Sequence, residues 1–170
     1  MGKIKHAILA LSVIFWVASA NAASEVQFPE NWQKWDSVST TLTKIGTLPG
    51  CDANVDTLPP IYQETVATYC SLRQGGPGKV AVLVNPAYES SYAARNGKLA
   101  DGVAMILHLK DMKVLFVTGY KGGKAQYGAY TENGKDISAA SGSLSVEMCR
   151  TCHTGYTSFC INGQCGKVSD

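Results

Sequence analysis

The sequence predicts an α+β domain built on a mainly antiparallel sheet, and three observations carry that expectation. Two apolar runs, Val103 to Leu109 and Lys113 to Tyr120, are separated only by Lys110, Asp111 and Met112, the spacing of an antiparallel hairpin. The β-branched run Lys79 to Val84 reads as a buried strand closed by Asn85-Pro86. Short helical patterns precede and follow that strand, and the resulting order of helix, strand, helix, strand, helix, hairpin, strand and cysteine-rich tail argues α+β.

The elements follow in chain order. Met1 to Ala22 joins Lys3 and Lys5 to the apolar run Ala7 to Val17 and then to Ala20-Asn21-Ala22, the three-part pattern of a secretory signal peptide cleaved after Ala22 or Ala23. The apolar run is too short for a permanent membrane span, so an exported chain without a membrane anchor is expected. Residues 23–170 then suit one domain. The chain has 15 basic and 13 acidic residues, two of the basic ones in the signal, so the rest is balanced and no nucleic-acid partner is indicated.

Phe28-Pro29-Glu30-Asn31-Trp32-Gln33-Lys34-Trp35 reads as a short amphipathic helix with both tryptophans on one face. Ser37 to Ile45 reads as a first strand ended by Gly46, Pro49 and Gly50. Pro59-Pro60 opens two or three helical turns over Ile61 to Tyr69, and Gln74 to Gly78 is a loop. Ala87 to Arg95 is a short helix ending near Asn96-Gly97. Ala125 to Thr131 is a further strand, and Glu132 to Ser145 reads as a long surface loop.

All six cysteines, Cys51, Cys70, Cys149, Cys152, Cys160 and Cys165, lie beyond the signal, where an oxidising compartment permits disulfides. Cys149-Arg150-Thr151-Cys152-His153 has the Cys-x-x-Cys-His spacing of covalent haem c attachment. Two thiols three residues apart on a helical turn can each bond a vinyl-derived carbon, while the adjacent His153 presents an imidazole as iron ligand. The alternatives are a Cys149–Cys152 disulfide, or a zinc site completed by Cys160 and Cys165. If haem takes the pentapeptide, the simplest disulfides are Cys51 with Cys70 and Cys160 with Cys165, the second closing a turn at Asn162-Gly163.

Several segments together resemble the cytochrome P-460 and cytochrome c′-beta family. Phe28 to Trp35 looks like its opening segment, Val82-Leu83-Val84-Asn85-Pro86 like its strand ending in Asn/Asp-Pro, and Ala100-Asp101-Gly102 like its Asp-Gly turn; the haem pentapeptide comes last. Cys51 to Gly78 looks like an insertion, and Gly119 to Ser145 aligns poorly. The resemblance implies a five-stranded antiparallel sheet with flanking helices, a homodimer, and one five-coordinate haem packed against the sheet.

The resemblance also implies two chemistries. One branch binds nitric oxide or related small nitrogen species, with electron transfer to a redox partner protein as an accompanying role. The other oxidises hydroxylamine with a haem cross-linked to a lysine. That lysine's place falls at Ala94-Arg95, leaving Lys98 as the nearest candidate for the cross-link. The family's distal carboxylate finds no clear place, Glu132 falling in the poorly aligned region. Alternation on Val103 to Leu109 puts His108 on the face opposite Met105 and Leu107, as a half-exposed side chain rather than a second iron ligand. Met105, Met112 and Met148 are read as packing residues. A periplasmic or otherwise exported location is expected from the signal.

Overall fold

The computed structural model describes residues 23–37, 51–58, 60, 63, 66, 67, 70, 71, 73–75, 78–94, 96–139, 142–155 and 160–165. The expected signal peptide lies outside this set, as does all of the expected strand Ser37 to Ile45 beyond Ser37.

The chain is α+β. Trp32–Lys34 makes one 3-10 turn, and Asp36–Ser37 (β1) pairs antiparallel with the end of Val80–Val84 (β2). Pro86–Tyr88 is a 3-10 turn running into the helix Glu89–Ala94 (α1). Its start is set by Asn85, whose side chain accepts from the Ala87 N–H at 3.1 Å, with Pro86 at the first helical position. Ala104–Leu109 (β3), Val114–Lys121 (β4) and Lys124–Thr131 (β5) continue the sheet as an antiparallel meander in the order β1-β2-β3-β4-β5. Four strands are of full length, and β1 contributes two residues at the edge. A 3-10 turn at Gly142–Leu144 precedes the helix Val146–Gly155 (α2), and Cys160–Ile161 (β6) pairs with Gln164–Cys165 (β7) as a separate hairpin.

The β3–β4 hairpin forms where the two apolar runs place it, with Lys110–Met112 as a 3-10 turn. Cys51–Cys70 and Cys160–Cys165 are disulfides. Residues 60, 63, 66, 67, 70 and 71 are helical, and Cys70 among them is joined to Cys51 by the first disulfide. No helix among the described residues is long and apolar enough to cross a membrane.

Directly paired residues of an antiparallel sheet share a face, so the register sorts the side chains. Ala81, His108, Leu115 and Tyr130 make one row, and Leu83, Ile106, Val117 and Gly128 the next. The N-terminal segment covers this face: Val26, Phe28, Trp32 and Trp35 pack on Ala81, Leu83, Ile106, Leu115, Val117 and Tyr130. Two glycines admit it, since a Cβ on Gly119 would stand 2.5 Å from Val26 and one on Gly128 2.7 Å from the Ser24 hydroxyl.

The opposite face carries Val82, Leu107, Phe116 and Ala129 in one row and Val84, Met105, Thr118 and Tyr127 in the next. Val84, Tyr92, Leu99, Val103, Met105 and Tyr120 form its buried cluster. Val82, Leu107, Phe116 and Thr118 stay partly exposed, so this face is only half covered.

Three expectations need correction. His108 is not half-exposed but 7% exposed, bonded through Nε2 to Glu132 Oε1 at 2.7 Å and lying edge-on to Trp32. Strand alternation reports a face, not how thoroughly other chain segments cover it, and here the covered face is the one bearing His108. Glu132 to Ser145 is not simply a surface loop: Asp136 bridges to Tyr130, and the fully buried Ser138 accepts from the Ala129 N–H at 3.0 Å. Its Ser and Asp side chains satisfy backbone and Ser24 groups, so polar residues are used for packing. Met105 packs as expected, whereas Met148 is 41% exposed on α2.

Leu115→Ala should therefore destabilise the mature chain by about 2–5 kcal/mol, the range for a fully buried leucine, and Leu107→Ala by clearly less. Urea titration of both variants measures this; equal losses would mean that the two faces are buried alike.

Candidate functional site

α2 carries the pentapeptide. Ser145 begins the helix, its hydroxyl accepting from the Met148 N–H at 3.2 Å. Thr151 and Thr154 turn their hydroxyls back onto the Glu147 and Arg150 carbonyls, at 2.9 and 2.7 Å. Spacings of three and four residues then put Cys149, Cys152 and His153 on one side of the helix. Arg150 docks it: the guanidinium pairs with Glu25 and lies 5.8 Å from the centre of the Tyr127 ring. α2 thus sits against β5 on the half-covered face of the sheet.

His153 is the best-defined group of the site. Its Nδ1 lies 2.6 Å from the Gly163 carbonyl oxygen, and its ring stands 5.0 Å from that of Tyr127. Burial pushes its pKa down, partly offset by the bond to Gly163, so the ring is neutral at physiological pH. A carbonyl only accepts, so Nδ1 carries the proton and Nε2 keeps its lone pair for a metal.

Cys149 and Cys152 are thiols outside both disulfides. Residues three apart within a helix hold their Cβ atoms about 5–6 Å apart, wider than the ~3.5–4.5 Å of a disulfide. The two sulfurs are not bonded to each other. Burial pushes the Cys149 thiol up to about 11, with Glu25 adding to the rise and Arg150 opposing it. The proposed zinc partners are otherwise engaged: sulfurs of Cys160 and Cys165 lie with the His153 imidazole inside a 4.8 Å group, but they are bonded to each other. The nitrogen facing them is Nδ1, 3.3 Å from Cys165 Sγ, the one already directed at Gly163.

The sequence-predicted residues thus separate. Cys149, Cys152 and His153 come together on α2. Lys98 has an exposed side chain, but its chain segment adjoins the site, because Asn162 donates from Nδ2 to the Gly97 carbonyl at 3.0 Å. His108 and Glu132 belong to the other face of the sheet, away from α2. Two participants were not legible in sequence. Tyr127 looked like any strand residue, yet it is 1% exposed against His153, and burial lifts its hydroxyl to about 12. Gly163 was legible as a turn glycine, with nothing to say that its carbonyl faces an imidazole. A pocket of 310 Å³ opens beside these groups, lined by Lys124, Tyr127, Arg150, His153, Thr154 and Asn162 among others. Among the described residues the Tyr127 hydroxyl has no hydrogen-bond partner. Compared with protein-family models, curated proteins and solved structures, the chain matches none.

The Cys149 environment gives a pH prediction. At pH 8 a thiol with a pKa of about 11 is ionised roughly two hundredfold less than an ordinary one near 8.5. Iodoacetamide should label Cys149 about 200-fold more slowly in the folded chain than in urea, the rate rising about tenfold per pH unit toward pH 11. Because the folded value lies above the unfolded one, the same thiol lowers stability as pH climbs from about 8.5 toward 11. Peptide mapping after timed labelling reads the rate, and equal labelling in both states would count against a buried thiol.

Proposed function

We propose that this chain is an exported c-type monohaem cytochrome of the P-460/c′-beta kind, binding nitric oxide or a related small nitrogen species at a five-coordinate haem. The observation that carries the proposal is the donor set on α2. Two thiols one helical turn apart accompany a neutral histidine whose Nδ1–H is taken by the Gly163 carbonyl, leaving Nε2 for iron. The residues present fit a haem: two thiols outside both disulfides, an imidazole in the metal-binding tautomer, and a partly covered apolar sheet face on the same side of the sheet as the helix. When bound, haem supplies reversible ligation of a small molecule at iron and one-electron exchange.

The chain's own residues do the rest. Cys149 and Cys152 tether, and His153 holds the metal. The Gly163 carbonyl fixes the ring's orientation and raises its basicity. Val82, Leu107 and Phe116 offer apolar surface on the same side of the sheet as α2, which disfavours anions and suits small uncharged diatomics. His108 is bonded to Glu132 on the far face, which supports an open sixth position on iron. Two disulfides among six cysteines accord with an oxidising compartment such as the periplasm. The family resemblance adds a homodimer and a redox partner protein.

The second proposal is hydroxylamine oxidation with a haem cross-linked to Lys98, favoured by the bond from Asn162 to Gly97, which brings the Lys98 segment beside the site. Mass spectrometry of the haem peptide separates the two, since a third covalent bond to the Lys98 peptide is the mark of the enzyme.

Expressed with haem-attachment machinery, the mature chain should be coloured, heavier by one haem, and high-spin five-coordinate in its reduced optical spectrum. Cys149→Ser with Cys152→Ser should abolish covalent haem, whereas His153→Ala should keep the thioethers and change the spectrum. A colourless wild-type protein with the mass of its amino acids alone would falsify the assignment.

A further inference from the structure

We infer that the disulfide-closed hairpin β6–β7 is the positioning device of His153, fixing its tautomer and, with iron bound, the strength of its bond to the metal. Only the iron-bound half of this inference rests on the haem assignment.

The hairpin is minimal. Its strands have two residues each and its turn is Asn162-Gly163, with φ of +46° and +81°, the pair of positive values that a two-residue hairpin turn requires. Strands so short do not hold themselves together in water. Cys160 and Cys165 stand directly opposite in register, and their disulfide supplies the closure that the backbone lacks.

The closed hairpin is then fastened to the body of the domain. Asn162 Nδ2 donates to the Gly97 and Gly123 carbonyls at 3.0 and 3.1 Å. The Tyr120 hydroxyl donates to the Asn162 carbonyl at 2.7 Å, and Gln164 Nε2 to the Tyr92 carbonyl at 2.7 Å. Gly163 presses so closely on β5 that a Cβ there would stand 2.5 Å from Ala125 and 2.9 Å from the Tyr127 hydroxyl. Everything that could let the Gly163 carbonyl swing is tied down, and that carbonyl is the one facing His153 Nδ1.

The chemical consequence is directional. A held acceptor at Nδ1 enforces one tautomer and gives the ring more imidazolate character, making Nε2 a stronger donor. A stronger donor favours ferric over ferrous iron. The hairpin therefore keeps the reduction potential low and the iron–histidine bond stiff.

The test is the Cys160→Ser, Cys165→Ser double variant, which opens the hairpin without a reductant that would also act on iron and on Cys51–Cys70. In the haem-loaded protein both thioethers should persist by mass, the iron–histidine stretch in the resonance Raman spectrum should move to lower frequency, and the potential should rise. Asn162→Ala, with the disulfide kept, should shift both in the same direction by less. Wild-type frequency and potential in the double variant, with attachment intact, would reduce the hairpin to a passive closure and overturn the inference. Should the double variant fail to load haem, Asn162→Ala alone decides, and unchanged values there overturn it.

Should wild-type protein carry no haem, the assignment above falls while the hairpin is still decided on the haem-free mature chain. There the ¹⁵N resonances of His153 should report protonation at Nδ1 in the wild type and a mixture of both tautomers in the double variant. The same tautomer in both would overturn the positioning role.

Discussion

A sheet has two faces, and this chain covers them by unequal means. The N-terminal segment seals one face with Val26, Phe28, Trp32 and Trp35, and the fit is close enough that Gly119 and Gly128 leave no room for a Cβ. The other face is covered less completely, and Val82, Leu107, Phe116 and Thr118 stay partly exposed on it. Leaving apolar side chains half in water forgoes roughly 25 cal/mol for each Å² not buried. The two histidines follow the two faces: His108, under the sealed one, is held by Glu132 and Trp32, while His153, on the other, is held through Nδ1 by the Gly163 carbonyl.

The electrostatics of the site point the same way. Burial raises the Cys149 and Tyr127 acids and lowers His153, so these three groups at the α2–β5 contact are held in their neutral forms. A neutral imidazole is the ligating form. Arg150 is the charged group of the pentapeptide, and it is turned to Glu25 and the Tyr127 face, where it fastens the helix.

Local pattern sufficed for much of this. The strands β2 to β5 were legible because their β-branched and apolar residues are bounded by Asn85-Pro86, Asp101-Gly102 and Lys110 to Met112, and turn chemistry is a nearest-neighbour property. Both disulfides were legible because the pentapeptide claims two of six cysteines and leaves pairs close in sequence. What stayed hidden depends on distant contacts. The burial of His108 is decided by Trp32 and Glu132, and the burial of Ser138 by Ser24, more than a hundred residues away. The facing of the Gly163 carbonyl on His153 arises only when Asn162 reaches Gly97 and Gly123.

The different fates of the six cysteines also bear on the order of events. Cys160 and Cys165 lie opposite each other in a hairpin and are paired; Cys149 and Cys152 lie one turn apart on α2 and are not. Before α2 forms, a Cys-x-x-Cys segment in an unfolded chain is free to oxidise. Once α2 is docked, the opposite difficulty appears, because burial keeps Cys149 protonated and the thiolate is the reactive species. On the proposed site, thioether formation would therefore proceed most readily while the thiols are kept reduced and the helix has not yet packed on β5. In that order, the α2–β5 contact would close after the attachment rather than before it.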